Sequence, residues 1–516
     1  MFREAEHGAQ AGAQASELVL DPAPSPERIA RVLGAYGFAD PQAAYRELER
    51  MARDVSRFGL VSPRTRAVLA SVAPRLLARV AATTEPDRTL SRLERTVATL
   101  GAKGAFYRLL HDDDEALELF VRLAADSPFL NEQFRRNPGL ADEVVDLLRT
   151  GVRLDRDEAL ARMRASEGDR FEAIRAVQRT GLLLVGLRDL AGRASGMAVA
   201  RELTGLAEAV LVRLAELVLE EERERAGPLP AGVRFVLFGL GSLGGRALGY
   251  GSDLDLVACC DMTGAADPLA VHERMERVGR RLVERLRTLG LYRVDLRLRP
   301  EGSAGHLVCS AEALERYYAE PRAQVWERLA ATRMRPVAGD LERGALLLER
   351  VHAALYRRPI EGLAAHTRAM RARLEAAARG RWDLKRMPGG LLDIDFLAAY
   401  LRLRERGEPE AARDPATLEA LRALSEAGAL PAQASTELLS AYAFLRTLEL
   451  RLQLAEGRSV HTLPDAPAAR RRLARSLGYA DTRRYRAEEA LQQELEHTRR
   501  TVRGWFDRLV ARSSTG

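Results

Sequence analysis

Asp253 and Asp255 stand two residues apart in the apolar stretch DLDLVACC, and a third acid, Asp295, follows in YRVDLRL. On a strand, residues i and i+2 point to the same face. Two ionised carboxylates on one face repel, and a bound divalent cation offsets that cost. Three carboxylates converging from neighbouring strands bind two Mg²⁺ ions, which clamp triphosphate oxygens and activate an attacking hydroxyl. Gly241 and Ser242 follow another apolar run, VRFVLFGL, with ten residues between Ser242 and Asp253. A Gly-Ser turn there lets backbone N–H groups approach phosphates closely. The order of strand, Gly-Ser, D-x-D strand, helix and third acidic strand is the chemistry of nucleotidyl transfer. Asp253, Asp255 and Asp295 are its expected metal ligands, with a triphosphate as substrate.

The same stretch offers a rival. Gly239, Gly241 and Gly244 spell G-x-G-x-x-G, and Asp261 follows about twenty residues later, as in a dinucleotide-binding fingerprint. That fingerprint needs a crossover helix and a parallel second strand. Only eight residues separate Gly244 from Asp253, and Gly249 and Gly251 interrupt them. The dinucleotide reading therefore fails, and Asp261 becomes a strand-end residue.

The elements that must position these residues are mostly helical. Residues 1–24 are Ala/Gln/Gly-rich and Pro-rich and read as a flexible tail. Residues 25–227 read as an N-terminal helical domain, ending in a long helix stopped by Gly227 and Pro228. Residues 228–345 form the α/β island: strands near VRFVLFGL, DLDLVACC and LYRVDLRLRP, and an amphipathic helix carrying Val271, Met275, Val278, Leu282 and Leu286. Residues 346–516 read as a C-terminal helical bundle, with Leu438, Tyr442, Leu445, Leu448 and Leu452 as a core stripe. The expected fold class is α+β, a small sheet-and-helix core flanked by predominantly α-helical domains.

Bulk properties exclude some classes. The net charge of +7 over 516 residues is too small to indicate nucleic acid, which needs a concentrated basic face. No apolar run reaches membrane-span length and the N-terminus lacks a signal-peptide core, so a cytoplasmic protein is expected. Cys259, Cys260 and Cys309 have no zinc or disulfide spacing. Of the 80 basic residues, 78 are arginine; Lys103 and Lys385 are the only lysines. Arginines are therefore individually uninformative, and a surviving lysine invites a reason such as a compact ammonium.

The constellation resembles the polymerase β-like nucleotidyltransferase superfamily. GLGSLGGRALGYGSDLDLV, LYRVDLRLRPEGSAGHLVCSAEALERYY, WERLAATRMRPVAGD and DLKRMPGGLLDIDFLAAYLRL resemble the glutamate–ammonia-ligase adenylyltransferase family. So do SPFLNEQFRRNPGLADEVVDLL and GLRDLAGRASGMAVARELTGLAEAVL upstream. The resemblance implies Mg²⁺-dependent transfer of AMP from ATP to a tyrosine hydroxyl of glutamine synthetase, or its phosphorolytic reversal, with signal protein PII as a further partner. A non-catalytic helical scaffold that binds the synthetase is the alternative of another class. By motif, Asp295 serves the acceptor hydroxyl, Gly241 and Ser242 serve phosphates, and Arg297, Arg299 and Lys385 neutralise triphosphate charge. Trp326 and Glu327 pack beside the site. Family members carry two such units in tandem; this chain has one. Ser242 stands where the family has a basic residue, Ala247 where it has Glu, and Ile394-Asp395-Phe396 where it has I-E-F.

Overall fold

The computed structural model describes residues 12–53, 63–100, 103–136 and 153–510. Five short strands form one sheet: β1 (Arg234–Gly239), β2 (Leu254–Asp261), β3 (Val294–Asp295), β4 (Val308–Ser310) and β5 (Arg335–Gly339). β1 lies between β5 and β2, antiparallel to both. β3 and β4 pair in parallel with the two ends of β2. The antiparallel β1–β2 pair rules out a dinucleotide-type β-α-β unit, in which those strands run parallel.

The sheet separates two apolar cores. Phe235 and Leu237 of β1, with Leu256, Ala258 and Cys260 of β2, join the N-terminal helices. Val236 and Phe238, with Val257 and Cys259, join the C-terminal helices. A strand buried on both faces reads as a continuous apolar run rather than an alternating one, as VRFVLFGL and LVACC do. All three cysteines are buried and free.

Three helices set the frame. α1 (Gly196–Ala226) begins where the Ser195 side chain accepts the Ala198 N–H, and ends at Gly227, whose φ is 75°. α2 (Gly241–Gly244) is the single turn after β1. α3 (Pro268–Thr288) is capped by Asp267 and buries Val271, Met275, Val278, Leu282 and Leu286, the expected stripe. Farther on, α4 (Leu341–Leu355), α5 (Leu391–Arg404) and α6 (Ala432–Glu456) follow. α6 buries Leu438, Tyr442, Leu445, Leu448 and Leu452.

Three expectations change. Residues 12–20, assigned to a loose tail, are helical and bury Ala15, Leu18 and Val19. Three apolar side chains at helical spacing sufficed where the composition suggested none; residues 1–11 lie outside the described residues. The expected division at 345 falls inside α4, because the turn is at Gly339, with φ 80°, and Asp340 caps the helix. LYRVDLRLRP is not one long strand: β3 ends at Asp295. There the Asp295 Oδ1 accepts the Arg297 backbone N–H at 2.9 Å, and the chain turns. Part of the upstream resemblance, residues 137–148, also lies outside the described residues.

Candidate active site

The ladder between β1 and β2 continues one step past β1: the Leu240 N–H donates to the Asp255 carbonyl at 2.9 Å. That step brings Gly241 against the Asp255 side chain. Gly241 has φ 53°, and a Cβ there would lie 2.0 Å from Asp255 Oδ2. The position therefore requires glycine on two counts, backbone conformation and space. The first N–H groups of α2, from Gly241, Ser242 and Leu243, have no partner within the helix and crown the turn beside the carboxylates.

Asp255 and Asp295 are register partners across β2 and β3. Asp253 precedes Asp255 by two residues, on the same side of the chain. Burial and the neighbouring Asp295 push the Asp255 carboxyl up to about 6; Lys385 and Arg333 oppose this, and Asp253 adds to it. The outer two carboxylates already meet cations. Arg293 Nε donates to Asp253 Oδ1 at 2.7 Å, and Arg297 Nε donates to Asp295 Oδ2 at 2.9 Å. The hydrogen bonds from Arg297 hold the Asp295 carboxyl below its ordinary range. Both arginines are exposed, at 75% and 85%, so each can leave without unpacking the core. This donor set, hard carboxylate oxygens that raise one another's proton affinity, suits a divalent cation.

The glycine turn is clasped from behind. Arg335 Nε donates to the Gly244 carbonyl at 2.8 Å, its Nη2 to Leu243 at 2.9 Å, and the same guanidinium pairs with Glu208 of α1. Arg333 stacks under Gly245, where a Cβ would meet its guanidinium at 2.0 Å, and pairs with Asp395 of α5 at 3.2 Å. The following loop is held by Thr204 of α1, which accepts the Leu248 N–H at 3.2 Å. Gly249 closes on Gln453 of α6. Tyr250 donates to Asp189 at 3.1 Å, and Asp189 pairs with Arg451.

Lys385 is brought to the site from the C-terminal half. Asp383 accepts the N–H groups of Lys385 and Arg386 at 3.2 and 2.9 Å. Leu384 N–H donates to the His461 carbonyl at 2.7 Å. The Lys385 charge favours the ionised forms of Asp255, Asp395 and Glu449. The Asp395 side chain is only 10% exposed, yet Arg333, Arg446 and Thr417 hold its carboxyl below the ordinary range. Burial works against the charge of Glu449 too, but Arg446 and His461 bring its carboxyl down to about 2.

The structure separates the remaining candidates. Arg297 lies over Asp295. Arg299 turns away, its Nε donating to the Gly305 carbonyl at 3.3 Å, because β3 has ended. Trp326 and Glu327 do not meet the carboxylates: Tyr317 and the Gln324 N–H donate to Glu327 at 2.7 and 2.8 Å, and Trp326 donates to Gln324 at 2.8 Å. Asp261 is fully buried and occupied by Thr263 and Arg343. Ala247, at the family's Glu position, is 1% exposed. Arg333 and Arg335 escaped sequence reasoning, because arginine is everywhere in this chain. Their signal is R-M-R at i and i+2, leading into β5. A cavity of about 680 Å³, with Arg136, Arg179, Arg287 and Arg293 in its wall, opens beneath Val294. Strand alternation puts Val294 on the face opposite Asp295, but Arg293 in the same wall pairs with Asp253, so the cavity adjoins the carboxylate cluster from below.

A small mixed sheet, a glycine turn, two strand-borne carboxylates and a third just ahead of β2, flanked by helices, define a polymerase β-like nucleotidyltransferase core. Residues 117–350 match the family described as Glutamate-ammonia ligase adenylyltransferase, and residues 362–510 match the one described as GlnD PII-uridylyltransferase. The chain belongs to the glutamate–ammonia ligase adenylyltransferase family. It is 34% identical over 471 residues to the bifunctional glutamine synthetase adenylyltransferase/adenylyl-removing enzyme of Thioalkalivibrio sulfidiphilus, covering 84% of this chain and 48% of that protein. The enzyme of the same name from Burkholderia pseudomallei is 35% identical, with 77% and 45% covered. That from Xanthomonas axonopodis pv. citri is 37% identical, with 63% and 35% covered. The chain thus spans about half the length of the curated relatives it matches. No helix among the described residues is long and apolar enough to cross a membrane.

Proposed function

We propose that this chain transfers AMP from ATP to a tyrosine hydroxyl of glutamine synthetase, in the cytoplasm. The observation that carries the reading is the pairing of Asp255 with Asp295 across β2 and β3, with Gly241 closed against Asp255. Asp253, Asp255 and Asp295 would hold two Mg²⁺ ions, which supply charge neutralisation on the triphosphate and a more acidic acceptor hydroxyl. Gly241 and Ser242 offer N–H groups to the phosphates. Arg297 swings from Asp295 to the triphosphate, which frees Asp295 to accept the phenol proton. The tyrosine oxygen attacks the α-phosphorus, the bond to the β-phosphate oxygen breaks, and pyrophosphate leaves with the electron pair. Lys385 favours the ionised form of Asp255, and its ammonium would meet phosphate charge. Arg299 belongs to the loop rather than to the nucleotide.

A second direction has its own support, since the relatives' names carry both adenylyl transfer and adenylyl removal. In removal, inorganic phosphate attacks the α-phosphorus of the modified tyrosine, releasing ADP and the free hydroxyl. The helices flanking the core would dock the synthetase. The helical region 362–510, alike to a PII-modifying family, is our candidate for contact with signal protein PII.

The test is transfer of label from α-labelled ATP to the synthetase of the same organism in Mg²⁺, for wild type beside Asp253→Asn. Label on the synthetase with wild type alone supports the reading. Release of ADP from modified synthetase with phosphate, and no labelling, assigns the reverse direction. A synthetase response that survives Asp253→Asn and Asp255→Asn assigns the scaffold instead.

A further inference from the structure

The carboxylate site uses the start of β2. At the other end of that strand, β4 pairs with Ala258, Cys259 and Cys260, and its first peptide is gripped by α3. The Val308 N–H donates to Glu276 Oε1 at 3.0 Å, and the Val308 carbonyl accepts from His272 Nε2 at 2.8 Å. His272 and Glu276 are four residues apart, one above the other on the same helical face. A third side chain arrives from the loop before β4. The His306 ring meets His272 edge to face at 4.8 Å, and its Nδ1 stands 3.9 Å from Glu276 Oε1. One donor atom from each of the three lies within 4.8 Å of the others.

We propose that His272, Glu276 and His306 form a transition-metal site of the zinc type, separate from the Mg²⁺ carboxylates, that fastens the loop after Asp295 to α3. Two imidazoles and one carboxylate make a donor set for zinc-like ions, whereas Mg²⁺ favours oxygen alone. The two sites therefore sort by metal. The Val308 peptide orients both helical ligands, in the way backbone groups behind a metal site usually do. A tetrahedral ion with bonds of about 2.0–2.1 Å holds its donors roughly 3.4 Å apart, so the cluster must tighten. His306 can supply that movement, because its side chain is 74% exposed while that of Glu276 is 15% exposed. Arg280, the cation beside Glu276, is 61% exposed and only 3.5 Å from Oε2 at best, so an ion displaces it easily. Three protein ligands leave a fourth position for water. The segment between Asp295 and His306 is short and mostly turns. Fixing its far end steadies the third carboxylate.

The test is a Zn²⁺ and Co²⁺ titration of the full chain after EDTA treatment, in excess Mg²⁺ to occupy oxygen-only sites. The expected result is one equivalent of Zn²⁺ per chain, a raised Tm, and Co²⁺ absorption bands of a four-coordinate nitrogen-containing site. His272→Ala and His306→Ala each weaken binding at least about ten-fold, and Asp253→Asn/Asp255→Asn keeps the equivalent. Metal-free melting of His306→Ala should equal that of wild type, because this ring is exposed, which separates ligand loss from misfolding. No Mg²⁺-resistant equivalent, unchanged binding in His306→Ala, or loss of the equivalent in the double Asp variant would each overturn the proposal.

Discussion

Gly241 stands directly against Asp255: a Cβ on Gly241 would come within 2.0 Å of the Asp255 Oδ2. The backbone at Gly241, with φ 53°, resists any other residue as well. The glycine turn and the first buried carboxylate are thus one unit, set by the hydrogen bond from Leu240 to the Asp255 carbonyl.

Gly241→Ala therefore displaces the carboxylate as well as straining the turn. Left-handed backbone at a non-glycine residue costs roughly 1–2 kcal/mol, which lowers Tm by a few degrees. Label transfer should fall by at least about 100-fold, since a displacement near 1 Å at a reacting centre costs that much. Calorimetric Mg²⁺ titration should show weakened binding. A variant that melts lower but transfers normally would show that the contact is structural only.

Asp255 predicts an unusual pH dependence of stability. Its carboxyl is raised from 3.8 to about 6 by burial and by Asp295. The unfolded chain releases this proton near 3.8, while the folded chain keeps it up to about 6. Between those values the folded state binds more protons, so this group's contribution to stability falls as pH rises. The gap corresponds to roughly 3 kcal/mol at most. In EDTA, Asp255→Asn should raise Tm at pH 7.5 and leave it nearly unchanged at pH 4. Mg²⁺ should raise the Tm of wild type at pH 7.5 and not that of Asp255→Asn. Equal melting of the two proteins at both pH values would remove the argument.

Much of this site was legible in the letters, and the reasons are local. D-L-D-L sets two carboxylates two residues apart at the entry to β2, a spacing that turns both to one side of the chain. The α3 stripe and the α6 stripe followed from helical spacing. What stayed hidden depended on contacts between distant segments. Arg297 and Arg299 look equivalent in R-L-R, but the Asp295 side chain turns the chain at Arg297 and parts them. Asp395 reads as a conservative exchange in I-D-F, yet it sits between Arg333, Arg446 and Thr417. The R-M-R spacing of Arg333 and Arg335 is a faint signal in a chain with 78 arginines. Only β5, pairing with β1, shows that they clasp the glycine turn.

The divergence of the two arginines gives a paired test. Arg297→Ala removes an exposed side chain lying over Asp295, so stability should stay within about 0.5 kcal/mol of wild type. If it moves to the triphosphate, KM for ATP should rise roughly ten-fold with kcat less affected. Arg299→Ala loses hydrogen bonds to the Leu296 and Gly305 carbonyls of its own loop. It should lower Tm slightly and leave KM for ATP within about two-fold. The reverse pattern would exchange their roles.

Lys385 lies between the two halves of the site and acts through its charge. That charge lowers the proton affinity of Asp255, against burial and two neighbouring acids that raise it. Removing it in Lys385→Met lets Asp255 hold its proton to higher pH. The acid limb of the transfer rate should therefore move upward, with a loss of roughly ten-fold for each pH unit moved, recovered at pH 8.5. Lys385→Arg keeps the charge and should keep the limb in place, though a planar guanidinium fits a compact ammonium's position poorly. The same charge also supports the ionised forms of Asp395 and Glu449, so Tm should be followed alongside. A loss in Lys385→Met that is uniform from pH 6 to 8.5, at unchanged Tm, would instead assign the lysine to direct phosphate contact.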